Sequence, residues 1–267
     1  MNIVLLGSGG VAYSLAFALK DHLCALYNRT QANGLRLIEA LGSTPKPILL
    51  TDVPARLPLD ADLYIIAVPD DAIGSVAQAL PPVHGTVVHT SAVAPLRLLA
   101  PHAHTGVLYP PNTFSKQAVR AFQGFTFLTE SNGPTAEQAI ARVCALLGAA
   151  PLSTLRPQRL AFHLAAVFAC NFTNHLYLLA EEIMQQAIGG SPLTKELLDP
   201  LQQETLRKAL LLGPLEAQTG PALRHDNSTL ALHRTLLEKY PAEYLQLYNL
   251  LTQSIQSHHE PPAEPTL

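Results

Sequence analysis

Along the first 155 residues, short runs of apolar positions alternate with stretches in which apolar residues recur every three to four positions. The runs predict strands over Asn2–Leu6, Leu23–Tyr27, Leu63–Val68, Thr86–His89, Thr105–Leu108, Phe125–Thr129 and Pro151–Thr154. The longer period predicts helices over Val11–Leu19, Gln31–Leu41, Ala72–Leu80 and Ala136–Leu147. Strands this continuously apolar leave no face for water, so they belong in a parallel sheet covered on both sides by helices. Beyond Arg159 the strand pattern stops. Ala161–Ala187 reads as one long, mostly apolar helix, followed by Thr194–Leu212, Leu230–Lys239 and Ala242–Gln256, with Gly189-Gly190-Ser191-Pro192 and Gly213-Pro214 as breaks. The expected architecture is an α/β domain over 1–155, an all-α domain over 156–256 and a proline-rich, polar, disordered tail over 257–267.

The turn after the first strand reads GSGGVA, Gly7 to Ala12. In the spacing Gly7-x-Gly9-x-x-Ala12 the first glycine permits a tight turn. The second lets backbone N–H groups approach a diphosphate, and the small third residue lets helix and strand pack closely. Ser8, Gly10 and Val11 complete the loop, and the helix N-terminus faces the phosphates. This makes the sheet Rossmann-like, with a dinucleotide at its carboxyl edge. The second strand ends in Tyr27-Asn28-Arg29-Thr30, without the acidic residue that holds an NAD ribose. An arginine fork and a hydroxyl there suit the 2′-phosphate of NADP; the competing reading is a solvated arginine beside an Asn/Thr helix cap. Val68-Pro69-Asp70 and Thr90-Ser91 follow later strands at the same edge and are candidate cofactor contacts, although Asp70 and Asp71 also suit a helix cap.

Composition narrows the partners. Lysine and arginine number 17 against 20 acidic residues, a net charge of −3, which offers no footprint for nucleic acid or an anionic membrane. Small molecules and a second copy of the chain remain. Cys24, Cys144 and Cys170 are scattered and lack CxxC spacing, and the eleven histidines show neither HxxxH nor HExxH, so no disulfide framework and no metal site is expected. Only Met1 and Asn2 precede the first apolar run and no 18 apolar residues run together, which suggests a cytoplasmic protein.

The long helix carries the candidate chemistry. At 100° per residue His163, Val167, Cys170 and Asn174 share a face, with Asn171 about 80° round from His163. If that face meets the cofactor, His163 protonates the heteroatom that receives a hydride, and Asn171 and Asn174 orient the substrate. The equal alternative is a core histidine with amides that join helices across a dimer interface. Asn112 and Thr113, in the loop Tyr109 to Phe114, are candidate substrate contacts that any turn would also contain. In LRHDNST, Arg224 and Asp226 suit a substrate carboxylate, while Asp226, Asn227 or Ser228 equally suits a cap on the next helix. The helix is apolar over more than one stripe, from which a homodimer through the helical half is expected.

Taken in order, GSGGVA, YNRT, AVPDDAI, HTSAV and YPPNTFS resemble the NADP-binding half of pyrroline-5-carboxylate reductase and deazaflavin-dependent NADP oxidoreductase relatives. FHLAAVFACNFTNHL, from Phe162, and TGPALRHDNSTLALH, from Thr219, are similar to the helical domain of unknown function 2520. The resemblance covers nearly the whole chain. It implies NADP as cofactor, oxidoreductase activity and an interwoven helical dimer domain of the 6-phosphogluconate dehydrogenase C-terminal type. The 3-hydroxy-acid dehydrogenases of that superfamily use a lysine on the long helix, and this helix has none, so their proton transfer does not carry over. The expected function is hydride transfer to or from a small carbonyl or imine. The alternative is a noncatalytic NADP-binding sensor or assembly protein.

Overall fold

The structure is a computed structural model and describes residues 1–189 and 193–260. Eight strands form one sheet: β1 (Ile3–Leu6), β2 (Leu23–Tyr27), β3 (Leu49–Thr51), β4 (Leu63–Ile66), β5 (Thr86–His89), β6 (Thr105–Tyr109), β7 (Thr126–Ser131) and β8 (Ala150–Ser153). Their order is β3-β2-β1-β4-β5-β6-β7-β8, so the chain returns to start a second half beside β1. Six strands from β3 to β6 are mutually parallel, β7 is antiparallel to β6, and β8 is parallel to β7. The antiparallel step departs from the all-parallel expectation. Residues 110–125, between β6 and β7, contain no helix, and without a crossover helix the next strand returns antiparallel.

Alternation of side chains explains the apolar strands. Ile3 and Leu5 pack with Leu15, Leu37, Phe127 and Ile140 on one face, under α1 (Gly10–Ala18), α2 (Gln31–Leu41) and α4 (Pro134–Leu146). Val4 and Leu6 pack with Ile66, Ile73, Ala77 and Leu80 on the other, under α3 (Ile73–Ala79). Successive residues of one strand thus enter two cores, and both must be apolar. β8, with Pro151, is the exposed edge, where a missing N–H is tolerated.

The chain divides into two compact units, Met1–Phe168 and Ala169 onward. The first helix after the sheet, α5 (Arg156–Ala166), therefore counts with the sheet, whereas the expected boundary lay at 155/156. The reason is polar anchoring: Arg159 pairs with Glu130 of β7, and Arg156 Nε donates to the Val93 carbonyl at 3.0 Å. Helix α5 begins before Ala161 because Pro157 sits in its first turn, where its missing N–H costs nothing.

The expected long helix is interrupted by a π-helical turn, Val167–Phe172, before α6 (Thr173–Ile188). In the second unit α7 (Leu193–Leu212), α8 (Asn227–Leu237) and α9 (Ala242–His259) follow. Gly189 and Gly213 close α6 and α7 in left-handed conformations. Helix α9 continues through residues 257–259, which the sequence pattern places in the tail, and Glu260 follows as its C-cap; 261–267 lie outside the described residues, as do Gly190, Ser191 and Pro192 of the predicted break. No helix among the described residues is long and apolar enough to cross a membrane.

Candidate active site

The carboxyl ends of the parallel strands open onto a cavity of about 910 Å³. The glycine loop forms its floor. Gly7 leaves β1 at φ 124°, and its N–H donates to the Tyr27 carbonyl at 2.9 Å, which ties the turn to β2. A Cβ at Gly7 would collide with the Ala67 carbonyl oxygen, so both the angle and the space require glycine. Helix α1 starts at Gly10 with no side-chain cap and no acidic residue in its first turn, which leaves its N-terminal N–H groups and positive dipole end free for an anion.

Of the candidate cofactor residues, Gly7, Ser8, Gly9, Gly10, Val11, Asn28, Arg29, Thr30, Val68, Pro69, Asp70 and Thr90 all line this cavity. Ala12 and Ser91 do not. Ala12 is fully buried between helix and sheet. Ser91 is buried, and its Oγ accepts from the N–H groups of Val93 and Ala94, so it shapes the turn after β5. Asn28 is likewise a brace: its Nδ2 donates to Ser8 Oγ and its Oδ1 accepts from Thr30 N–H at 3.0 Å, linking the glycine loop to the end of β2. Thr30 is the N-cap of α2 but makes no side-chain cap bond, and Arg29 is exposed beside it on the cavity wall. Asp70 and Asp71 form the first turn of a short 3₁₀ segment without a side-chain cap and line the cavity instead. Lys116, which sequence reasoning passed over, also lines it.

A second polar group lies at the carboxyl ends of β5 and β6, with Glu130 of the antiparallel β7 beside Val107 of β6. Tyr109 closes β6, and its hydroxyl stands 3.5 Å from His163 Nδ1 on α5, with the two rings edge to face. Burial, then the nearby Asp70 carboxylate, push the Tyr109 phenol above its ordinary range. Asp70 itself lines the cavity. One turn before His163, Arg159 is fully buried and bonded to Glu130. His89, at the end of β5, is also fully buried; its Nδ1 accepts from Ser91 N–H at 3.2 Å, so Nε2 carries the proton of the neutral ring. Burial first, and the Arg159 charge second, push His89 down to about 4. Tyr109 was legible only as a loop residue. Arg159, Glu130 and His89 gave no signal, because with the helix expected from Ala161 Arg159 fell into a linker instead of one turn below His163.

The remaining candidates belong to other parts of the chain than this cavity lining. Asn112 Oδ1 accepts from Thr113 N–H at 2.8 Å in an exposed turn, and neither residue lines the cavity. Asn171 and Asn174 are exposed and belong to the second unit, as do Arg224 and Asp226. The constant 100° step that put Val167, Cys170 and Asn174 on the His163 face fails at the π-helical turn, where each turn takes in about one extra residue. Asp226 is the N-cap of α8: its carboxylate accepts from Thr229 N–H and from the Ser228 and Thr229 hydroxyls, which hold it down at about 2.

Residues 125–255 match the family model described as Domain of unknown function (DUF2520). The chain is similar to BF3122 from Bacteroides fragilis, named "putative NADP oxidoreductase", with 32% identity over 96% of this chain and 98% of that one and a TM-score of 0.83. It is similar in fold to protein TM1727 from Thermotoga maritima, with 19% identity, 96% and 98% coverage and a TM-score of 0.68. A reductive aminase from Aspergillus terreus, solved with NADPH and ethyl-5-oxohexanoate, has 17% identity, 97% and 96% coverage and a TM-score of 0.71. No curated protein matches the chain.

Proposed function

The chain belongs to the family of the domain of unknown function DUF2520, and from that premise we propose that it is an NADP-dependent oxidoreductase that reduces or oxidises a small carbonyl or imine. The observation that carries this reading is the single cavity wall that runs from an uncapped helix N-terminus to Arg29, with no carboxylate at the end of β2. The residues fit the cofactor. A Cβ on Gly9 would meet nothing within 4 Å, so the backbone there faces open cavity instead of protein. The N–H groups of Gly9 to Val11 would hold the diphosphate, and Arg29 with the Thr30 hydroxyl the 2′-phosphate. Val68, Pro69 and Thr90 would shape the nicotinamide end.

When bound, the reduced cofactor supplies a hydride. The chain must then supply a proton to the oxygen or nitrogen that gains charge, and His163 is our candidate donor, with Tyr109 at its Nδ1 as orienting or relaying group. Arg159, anchored to Glu130, fixes the turn of α5 from which His163 projects. Dimerisation belongs to the same proposal. In the second unit Leu201, Leu206, Leu210 and Leu211 are 59–79% exposed, an apolar surface that a second copy would cover.

The test is a turnover assay with ketoacids, ketones and cyclic imines that follows loss of the reduced nicotinamide. Turnover that requires NADPH supports the reading. Tight NADPH binding without turnover across the panel supports the noncatalytic sensor instead.

A further inference from the structure

The loop after β6 lies directly on the helix that opens the cavity. A Cβ on Gly10 would come within 2.7 Å of the Phe114 carbonyl oxygen, so the first residue of α1 is glycine because the loop backbone occupies the place of a side chain. One turn further, Ser14 Oγ, fully buried, accepts from Arg120 N–H at 3.2 Å. Between these two anchors, Lys116 holds its ammonium 5.5 Å from the centroid of the Tyr13 ring on α1 and lines the cavity. Its position is thus set by the loop's attachment and by the ring face, which attracts a cation.

Charge gives this placement its meaning. Among the described residues that line the cavity, the cations are Arg29 and Lys116 and the anions are Asp70 and Asp71. Arg29 sits at the end of β2, where the 2′-phosphate is assigned, and the acidic pair opposes any phosphate that enters. The helix dipole amounts to only about half a unit charge. We propose that Lys116 is the charge partner of the cofactor's diphosphate, presented over the N-terminus of α1 by a loop pinned to that helix. The proposal rests on the dinucleotide reading of the cavity and adds a cation that the glycine pattern does not announce. It also divides the work between two cations: Arg29 distinguishes NADPH from NADH, while Lys116 serves both equally.

The experiment is a set of equilibrium titrations with NADPH, NADH and 2′-AMP, which carries the 2′-phosphate but no diphosphate, on the full chain and on Lys116→Ala, Lys116→Gln and Lys116→Arg. Lys116→Ala and Lys116→Gln should weaken both dinucleotides by a common factor of about tenfold, the low end for a hydrogen bond to a charged group. The loss should shrink as salt is raised, Lys116→Arg should retain most of the affinity, and 2′-AMP should bind all four proteins alike. Unchanged dinucleotide affinity in both neutral variants overturns the proposal and leaves the cofactor reading standing. Selective weakening of NADPH and 2′-AMP also overturns it, because the lysine then serves the 2′-phosphate. A full chain that binds neither dinucleotide overturns both readings together.

Discussion

Arg29→Asp should invert the cofactor preference. In the wild-type chain the guanidinium stands exposed on the cavity wall beside the Thr30 hydroxyl, and no carboxylate closes β2. Because Arg29 is exposed, its bond to a 2′-phosphate belongs at the low end of charge-assisted hydrogen bonds, about 1.5 kcal/mol. That alone gives NADPH an advantage of about tenfold over NADH. The substitution removes this bond and sets a carboxylate against a phosphate dianion. At 4 Å in water each pair of unit charges repels by about 1 kcal/mol, so the repulsion adds about 2 kcal/mol. NADPH should therefore bind more than a hundredfold more weakly. NADH should bind unchanged or better, since a carboxylate at the end of β2 accepts hydrogen bonds from the ribose hydroxyls. Calorimetry at one salt concentration, with both cofactors and both proteins, measures the four affinities. Equal affinities in the wild type, or losses for NADPH and NADH that agree within twofold, would refute the reasoning.

Further outcomes follow from the same contacts. His163→Ala should lower turnover on an identified substrate by at least about tenfold with NADPH affinity unchanged, whereas His163→Gln separates proton donation from packing, since an amide keeps a hydrogen bond but delivers no proton; full turnover in the Gln variant would move the donor elsewhere. Glu130→Ala leaves the buried Arg159 charge unpaired and should cost about 3–5 kcal/mol in denaturant unfolding, and Arg159→Met, which removes the charge, should cost less; the reverse order would contradict the pair's geometry. His89 is neutral in the folded chain down to about pH 4, while an unfolded histidine takes up its proton near pH 6.5. Stability should therefore fall by about 3 kcal/mol as pH drops from 6.5 to 4, and His89→Gln should flatten that slope; an unaltered slope would exclude the residue as its source. Light scattering at micromolar concentration should return the mass of two chains, and a monomeric mass would remove the second copy from the helical surface.

What the sequence made legible follows its periodicities. The continuous apolar run of β1 and the glycine spacing at Gly7 and Gly9 are local, and the floor of the cavity could be read from them. So could Arg29, because the missing acid at the end of β2 is itself a sequence feature. β3 was not expected: Leu49–Thr51 is a three-residue edge strand, too short to show a period. The polar group around Arg159 escaped for another reason. Its members come from β5, β6, β7 and α5, and only the sheet order brings them together. Asn171 and Asn174 were placed by a uniform helical step, and the π-helical turn that breaks it leaves no mark in the apolar pattern of VFACNF. Lys116 lies in a loop without regular structure, and its place over Tyr13 depends on the packing of that loop against Gly10.

A crystal structure of the chain with NADPH tests the central claim most directly. The account predicts the diphosphate on the N–H groups of Gly9 to Val11, the 2′-phosphate at Arg29 and Thr30, and the nicotinamide beside Val68, Pro69 and Thr90, at the end of the cavity nearer Tyr109 and His163. NADPH bound away from the Gly7–Val11 loop, or seated there with its 2′-phosphate in solvent and Arg29 turned aside, would contradict it.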